Sequence, residues 1–359
     1  MQDQAHTPLH YPLGETLAPR AGTIEVAPGI HWVRMKLPFA LDHINLWLLR
    51  DELDGRSGWT IVDCGIANEE TRENWLQLFD SVLEGLPVLR VIVTHMHPDH
   101  IGNAEWLTSR WSTPEQPCRL WISATDFHAA HMASGRTSEH GGHRAADFFA
   151  SHGLTDPDSV AKIRARTNYY SSMVPQVPAS FRRLQHGMKL SVRGLSWRCL
   201  AGFGHAPEHM ALYCDELNVL ISGDMVLPRI STNVSVTDSE PESDPLTQFL
   251  DSLTEMRALP ADCLVLPSHG KPFFGLHTRI NELHQHHAER LEDVRRCCEQ
   301  APTTAADLLP VLFRRPLDLH QTTFAMGEAV AHLHALWHKG ELMRHRGEDG
   351  VFRFTTNQA

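Results

Sequence analysis

The feature that most constrains the fold is a histidine-rich motif at the end of a short apolar segment. The motif THMHPDHIGNA, residues 94–104, directly follows VLRVIV, a segment typical of a buried β-strand. His95 and His97 flank one residue in an extended stretch and therefore point the same way, whereas Asp99 and His100 come later and can face a second point. The motif predicts two adjacent metal positions at the end of a strand.

Two metal ions need more ligands than this motif supplies, and three further candidates occur downstream. Each follows an apolar segment and has glycine or proline neighbours, which let the backbone turn the side chain toward a common edge. The candidates are His205 in GFGHAPEH, Asp224 in VLISGD and His269 in CLVLPSHG. One histidine means little in a chain that has 25 of them, but the whole set, placed after strand-like segments, predicts a dinuclear centre.

The distribution of apolar residues predicts an α/β chain with one large domain and one small C-terminal domain. Strand-like segments with glycine and proline turns alternate with amphipathic helices, and Asn68 is a good N-cap for the first helix. We predict a catalytic domain over residues 22–299, with an insertion at about 135–190, and a second domain over residues 300–359.

Composition and cysteine usage exclude some classes of protein. A formal net charge of −11 argues against general affinity for nucleic acid. Seven cysteines without a CxxC pair favour a reducing compartment, and the absence of a signal-like or membrane-spanning segment leads us to expect a cytoplasmic protein. No GxSxG elbow is present, so the chain offers no side-chain nucleophile that we recognise; Cys64, beside Asp63, is the cysteine to test.

At these candidate metal ligands the sequence resembles the metallo-β-lactamase superfamily, and the resemblance extends over about residues 22–290. In that family an HxHxDH motif, a later GH, an aspartate after a strand and a final histidine together bind two metal ions. The resemblance implies this assignment: His95, His97 and His205 to the first metal, Asp99, His100 and His269 to the second, and Asp224 to the bridge between them.

The resemblance also implies an αββα sandwich with the metals at one edge of two packed sheets. Asp63 matches a position that supports the metal loop. Glu208 departs from the family pattern, which often has glycine before the second histidine of GHxxGH, and we interpret His209 as structural. Histidine-rich sites with a few carboxylates favour two Zn²⁺ ions, although the same ligands permit iron or manganese.

The predicted activity is that of a metal-dependent hydrolase. Two metal ions polarise a carbonyl or phosphoryl oxygen and lower the pKa of a bridging water toward ~7, so that hydroxide is available at neutral pH. Asp99 and Asp224 are the carboxylates expected to take part in this chemistry. An ester, thioester or lactone substrate is favoured by similarity to glyoxalase II-like members. A metal-dependent endoribonuclease and a β-lactam hydrolase are the alternatives.

The insertion suggests what the substrate looks like. Its basic residues outnumber its acidic residues by 8 to 4, which opposes the sign of the whole chain. Because the insertion connects the strands that carry His95 and His205, we expect it to cover the metals as a lid and to attract an anionic small molecule. Arg182 and Arg183 are the leading candidates for substrate binding. The alternative is a solvated helical excursion.

The C-terminal segment is predicted to form a winged-helix-like unit. A helix containing Phe324 and Trp337 ends near Gly340, and ELMRHRGEDGVFRF is typical of a β-hairpin. Six basic residues are offset by six acidic ones, so the segment lacks the positive field of a DNA-binding domain. We expect it to pack against the catalytic domain or a second subunit, as in a homodimer, rather than to bind nucleic acid.

Overall fold

The computed structural model describes residues 8–135 and 142–357, and most of its strands lie in two β-sheets. The first sheet contains, in order across it, β1 (Ile24–Ala27), β2 (Ile30–Lys36), β3 (His43–Leu53), β4 (Arg56–Val62), β5 (Val88–Ile92), β6 (Arg119–Ser123) and β7 (Phe181–Leu184). The second sheet contains, again in order, β8 (Lys189–Val192), β9 (Leu195–Gly202), β10 (His209–Cys214), β11 (Val219–Gly223), β12 (Leu264–Pro267) and β13 (Phe273–Phe274).

Helices connect the strands and follow the second sheet. In the described residues they are α1 (Glu69–Ser81), α2 (Pro98–Ile101), α3 (Ala104–Trp111), α4 (Ala124–Ser134), α5 (His143–Ser151), α6 (Pro157–Arg164), α7 (Tyr169–Met173), α8 (Pro245–Met256), α9 (Leu276–Gln300), α10 (Ala305–Leu312) and α11 (Leu319–His338). Helix α1 begins as predicted, because the side chain of Asn68 accepts a hydrogen bond from the backbone N–H of Thr71.

Three apolar clusters define the layers of the fold. One lies between the two sheets and includes Trp47 and Trp197. A second lies between the first sheet and its helices, around Trp75, and the third lies between the second sheet and helices α8, α9 and α11, around Phe249. Burial of these large side chains on both faces of each sheet confirms the predicted αββα sandwich.

The parallel strands determine where the metal-type residues lie. Strands β4, β5 and β6 run parallel, and so do β11 and β12. Strand β5 is buried at every position, as expected for a strand covered on both faces. The motif at residues 94–104 follows the carboxyl end of β5, while Asp224 and His269 follow the carboxyl ends of β11 and β12. Both groups of ligand candidates therefore leave the sheets at strand ends.

The insertion is helical in its described part and ends in a strand that we did not predict. The segment FRRL forms β7, which pairs in parallel with β6 at the edge of the first sheet. Arg136 and Glu139, two of the charged residues counted in the insertion, lie outside the described residues.

The C-terminal segment packs onto the larger part of the chain. Strands β14 (Leu342–Arg346) and β15 (Phe352–Thr356) form the antiparallel hairpin. Helices α10 and α11, together with Phe354 of the hairpin, share one apolar cluster with α8 and α9. Helix α9 runs up to the boundary predicted at residues 299–300. None of the helices in the described part of the chain has the length and apolarity that a membrane span requires.

Candidate metal centre

Three histidines from two loops face one another at the carboxyl ends of the strands. His95 Nε2 lies 2.9 Å from His97 Nδ1 and 3.2 Å from His205 Nε2. All three ligand nitrogens lie within 4.8 Å of one another. Ligands bound at ~2.0 Å to a tetrahedral metal are separated by about 3.3 Å, so this spacing suits one cation.

A second group adjoins the first and consists of Asp99, His100 and His269. Asp99 Oδ2 lies 3.6 Å from His100 Nε2 and 3.5 Å from His269 Nε2. The ligand atoms of this group also lie within 4.8 Å of one another. Two histidine nitrogens and a carboxylate are again a set that divalent metals use.

The carboxylate of Asp224 lies between the two groups. Its Oδ2 is 3.3 Å from His205 Nε2, whereas its Oδ1 is 3.5 Å from His269 Nε2 and 3.7 Å from His100 Nε2. The structure thus brings together all the ligand candidates that the sequence suggested, although they come from four separate loops.

The hydrogen bonding of two buried atoms indicates whether these residues fit a metal. His100 Nε2 and Asp224 Oδ1 have no hydrogen-bond partner among the described residues, and they lie 3.7 Å apart. A buried polar atom left without a partner costs roughly 1–3 kcal/mol. A cation bound between these two atoms would supply the missing interaction for both, so the residues present fit a metal.

The chain matches two family models. The model of the metallo-beta-lactamase superfamily matches residues 40–269, which include every ligand candidate, and the model of the metallo-beta-lactamase-like C-terminal domain matches residues 291–357. The chain belongs to the metallo-beta-lactamase superfamily. It is a hydrolase-family protein with a His/Asp cluster that can bind metal.

Solved and curated relatives of this superfamily protein extend over most of its length. A beta-lactamase domain protein from Burkholderia ambifaria is 52% identical, with 97% of this chain and 98% of that one covered and a TM-score of 0.91. A metallo-beta-lactamase family protein from Thermus thermophilus is 28% identical, with 93% and 100% covered and a TM-score of 0.75. The probable metallo-hydrolase YqjP of Bacillus subtilis is 23% identical over 314 residues, 85% of this chain and 91% of that protein.

The histidines of this superfamily protein differ in protonation. Burial, followed by the neighbouring imidazoles, holds the pKa of His95 and His97 well below its ordinary value, so both are neutral. Burial also acts to lower the pKa of His100. The carboxylates of Asp63, Asp99 and Asp224 outweigh this effect and raise the pKa of His100 to about 10. Without metal, His100 therefore carries a proton at neutral pH.

Asp63 lies behind the histidine motif and holds it in place. Its Oδ1 accepts a 2.8 Å hydrogen bond from the backbone N–H of Thr94, and its Oδ2 lies 2.8 Å from His100 Nδ1. The Asp63 backbone has φ of 62°, a left-handed conformation that aspartate adopts more readily than most residues. Contact with Nδ1 leaves Nε2 of His100 directed at the metal cluster.

Backbone carbonyls orient two further ligands. His205 Nδ1 donates to the carbonyl oxygen of Asn233, and His269 Nδ1 donates to that of His43, each over 2.7 Å. Because each Nδ1 is held by a carbonyl oxygen, Nε2 is the ring nitrogen that faces the cluster and is available to a metal.

Glycine is required in front of two ligands. Gly204 precedes His205 with φ of 90°, and Gly223 precedes Asp224 with φ of 55°. A β-carbon would lie 2.1 Å from a backbone oxygen at the first position and 2.1 Å from a ring nitrogen of His209 at the second. Both turns therefore depend on residues without a side chain.

His209 adjoins the cluster but is not in any of its ligand groups in the described residues. Its Nε2 accepts a 3.1 Å hydrogen bond from the backbone N–H of Asp224, and burial lowers its pKa to about 3. A neutral imidazole in this position orients the backbone of a ligand, which is a structural role.

Sequence reasoning missed a buried carboxylate, Asp126, in the first turn of α4. It accepts a 2.7 Å hydrogen bond from the backbone N–H of Met96 and a 2.6 Å hydrogen bond from that of Glu208. Burial raises the pKa of Asp126 to about 6. The sequence signal is the helix start SATD, in which a first-turn aspartate has an ordinary explanation as a partner of the helix dipole. One side chain thus joins two of the loops that carry ligands.

The arginines expected to bind substrate are not at the cluster, which corrects that prediction. Arg182 places its guanidinium 4.4 Å from the ring centre of Trp121. It lines a separate surface cavity with Leu89 and Arg119, near the amino ends of β5 and β6, whereas the histidine motif follows the carboxyl end of β5. Arg183 is exposed and, as the next residue in β7, points to the opposite face.

Proposed function

We propose that this metallo-beta-lactamase superfamily protein is a dinuclear metal-dependent hydrolase of an ester, thioester or lactone. The observation that carries the proposal is the position of Asp224, whose two carboxylate oxygens face His205 and His269 respectively. A carboxylate between two ligand groups suits two cations that share it. The first ion would be held by His95, His97 and His205, the second by Asp99, His100 and His269, with Asp224 shared.

Two metal ions bound here would supply Lewis acidity toward the substrate oxygen and lower the pKa of a water molecule toward ~7. In the overall reaction the oxygen of water bonds to the acyl carbon, the bond from that carbon to oxygen or sulfur breaks, and a proton from the water goes to the leaving group. The residues of the chain provide orientation for this reaction. Asp63 fixes the imidazole of His100, and Asp126 fixes the backbone beside the first ligand group.

We propose Zn²⁺ as the resident metal, because imidazole nitrogens with a few carboxylates suit it. The test is elemental analysis of protein purified without chelator, followed by chelation and reloading with zinc, iron or manganese. We expect two metal ions per chain, loss of activity on chelation and recovery on reloading with zinc. One ion per chain, or none, would count against the dinuclear centre.

Variants make this test specific. Asp224→Asn and His95→Ala should lose most of the bound metal and most of the activity, because the first removes the shared ligand and the second removes a ligand of one ion. The matched control is His345→Ala, an exposed histidine in the C-terminal hairpin. Equal metal content in Asp224→Asn and the control would contradict the assignment.

Substrate class is tested with p-nitrophenyl esters, acyl-CoA thioesters, lactones, nitrocefin and single-stranded RNA. We expect hydrolysis of the first three classes. Two observations support a small molecule over nucleic acid: the balance of basic and acidic residues after residue 300, and the packing of α10 and α11 against α9. Cleavage of RNA or nitrocefin without cleavage of any ester would replace this proposal with one of those activities.

We also propose that the substrate is anionic and that Arg166 binds its charged group, rather than Arg182 and Arg183 of β7. The other cations in helices α5 and α6 of the insertion have acidic partners: Arg144 with Asp238, Lys162 with Asp158 and Arg164 with Asp147. The guanidinium of Arg166 lies 5.7 Å from the ring centre of Tyr169, whose neighbour Tyr170 contacts the loop of His95 and His97 through the carbonyl oxygen of Met96. No ion pair joins Arg166 to another described residue. It is therefore the cation of the insertion's helical part best placed to meet a substrate.

A further inference from the structure

Four ring side chains from three separate segments meet at His320, the second residue of α11. Phe39, in the loop between β2 and β3, stacks on His320 with ring centres 5.7 Å apart. Phe324 meets it edge to face at 4.9 Å, and the hydroxyl of Tyr169 in α7 lies 3.0 Å from His320 Nδ1. We call Phe39, Tyr169, His320 and Phe324 the aromatic roof.

On one side, the aromatic roof is joined to the first ligand group. Tyr170, the neighbour of Tyr169, donates a 2.5 Å hydrogen bond from its hydroxyl to the carbonyl oxygen of Met96. Met96 lies between His95 and His97, so α7 is in contact with the loop that carries both ligands.

On the other side, the aromatic roof is joined to the second ligand group. The loop that contains Phe39 leads into β3, whose first residue is His43. The carbonyl oxygen of His43 accepts the hydrogen bond that orients His269. The roof therefore extends from the segment that supports one ligand group to the segment that supports the other.

The aromatic roof has apolar surface that no described residue covers. Phe324 is 44% exposed and Tyr169 is 38% exposed, although both belong to a cluster of rings. Burial, followed by the nearby guanidinium of Arg166, lowers the pKa of His320, so its ring is neutral at pH 7 and adds little charge. Uncovered apolar surface beside a site with polar and metal-binding groups is typical of the part of a pocket that binds the apolar portion of a ligand.

We propose that the aromatic roof binds an apolar acyl group of the substrate, so that medium-chain or aromatic acyl esters and thioesters are preferred over acetyl esters. This inference rests on the proposed function. It also assigns the C-terminal segment a part in substrate selection, because His320 and Phe324 belong to α11. Each methylene buried against the roof should raise kcat/KM about fourfold, the ratio that corresponds to about 0.8 kcal/mol per buried methylene.

The test compares p-nitrophenyl acetate, butyrate, hexanoate and octanoate with the metal-loaded full-length protein. We expect kcat/KM to rise with chain length in the wild type. In Phe324→Ala and in Tyr169→Ala, the ratio of octanoate to acetate kcat/KM should fall at least tenfold. The matched control is Met343→Ala, which removes a side chain that is 45% exposed on the C-terminal hairpin; its ratio should equal that of the wild type.

A binding measurement separates failure of this inference from failure of the proposed function. Octanoate and acetate are titrated calorimetrically into wild type and Phe324→Ala. If no ester is hydrolysed but octanoate binds more tightly than acetate, and Phe324→Ala removes the difference, then the aromatic roof binds apolar acyl groups and the proposed reaction class is wrong. If esters are hydrolysed but neither rates nor binding depend on chain length, or the dependence survives in both variants, the roof inference is overturned.

Discussion

The carboxylate of Asp126 accepts a 2.7 Å hydrogen bond from the backbone N–H of Met96, the residue between two histidines of the metal centre. Its other oxygen accepts a 2.6 Å hydrogen bond from Glu208, three residues after His205. Two loops that are distant in sequence are thereby held by one buried side chain. Such charge-assisted bonds are stronger than those between neutral groups, so the spacing of the first ligand group depends on Asp126.

Replacing Asp126 by asparagine should weaken metal binding without removing any ligand. Asparagine has similar volume, but its amide NH₂ cannot accept a hydrogen bond from a backbone N–H. We expect at least a tenfold loss of metal affinity in competition with a chromogenic chelator, and a loss of stability of about 2 kcal/mol. Asp158→Asn, on the exposed surface of α6, is the control. Unchanged metal affinity in a folded Asp126→Asn protein would show that the loops hold their spacing without this bond.

Metal binding should release a proton from His100. In the folded, metal-free protein the carboxylates around His100, which outweigh its burial, raise its pKa to about 10. The pKa of histidine in the unfolded chain is about 6.5. Protonation of His100 therefore stabilises the folded metal-free protein fully below pH 6.5, and this stabilisation is lost as the pH rises through about 10. A metal ion binds the neutral ring, so affinity should rise with pH up to about 10.

The measurement is calorimetric titration of metal at about pH 8 in buffers of different ionisation enthalpy, which counts released protons. We expect close to one more proton released by wild type than by His100→Ala. Identical proton release by the two proteins would mean that His100 is already neutral before metal binds.

Cys64 should not act as a nucleophile. Its thiol is buried, and burial, followed by the charge of Asp63, raises its pKa well above the ordinary value, so the reactive thiolate is scarce at neutral pH. We expect Cys64→Ala to retain most of the wild-type kcat, and chelation to abolish it in both proteins. Activity that survives chelation but disappears after treatment with a thiol reagent would contradict a metal-dependent reaction.

Reversing the charge of Arg166 should affect anionic substrates selectively. Arg166→Glu is expected to raise KM about tenfold for an acyl-CoA thioester and to change kcat on a neutral ester little, because only ground-state attraction is lost. Arg182→Glu is the matched control, since Arg182 lines a separate cavity. Equal effects of the two substitutions, or no effect of either, would remove the basis for an anionic substrate.

The sequence by itself determined the alternation of strands and helices and located the residues that meet at the candidate metal centre, because apolar periodicity indicates strands and helices, and histidines and aspartates follow strand-like segments such as VLRVIVT and VLISGD. The αββα layering was expected from the resemblance to the superfamily. Parallel strands bring their carboxyl ends to one edge, so Asp224 after β11 and His269 after β12 could be expected together before their contact was known. His95, which follows β5 of the other sheet, meets Asp224 because the two sheets pack face to face.

Only the tertiary structure decided which other side chains support that centre and what covers it. Asp126 and His320 are ordinary helix residues in sequence, and their roles arise from contacts with Met96 and Phe39, which local patterns do not encode. The segment FRRL is a strand because β6 offers it a partner, which moves Arg182 away from the metal residues. Long-range packing sets these positions, and its energy depends on neighbours that are remote in the chain.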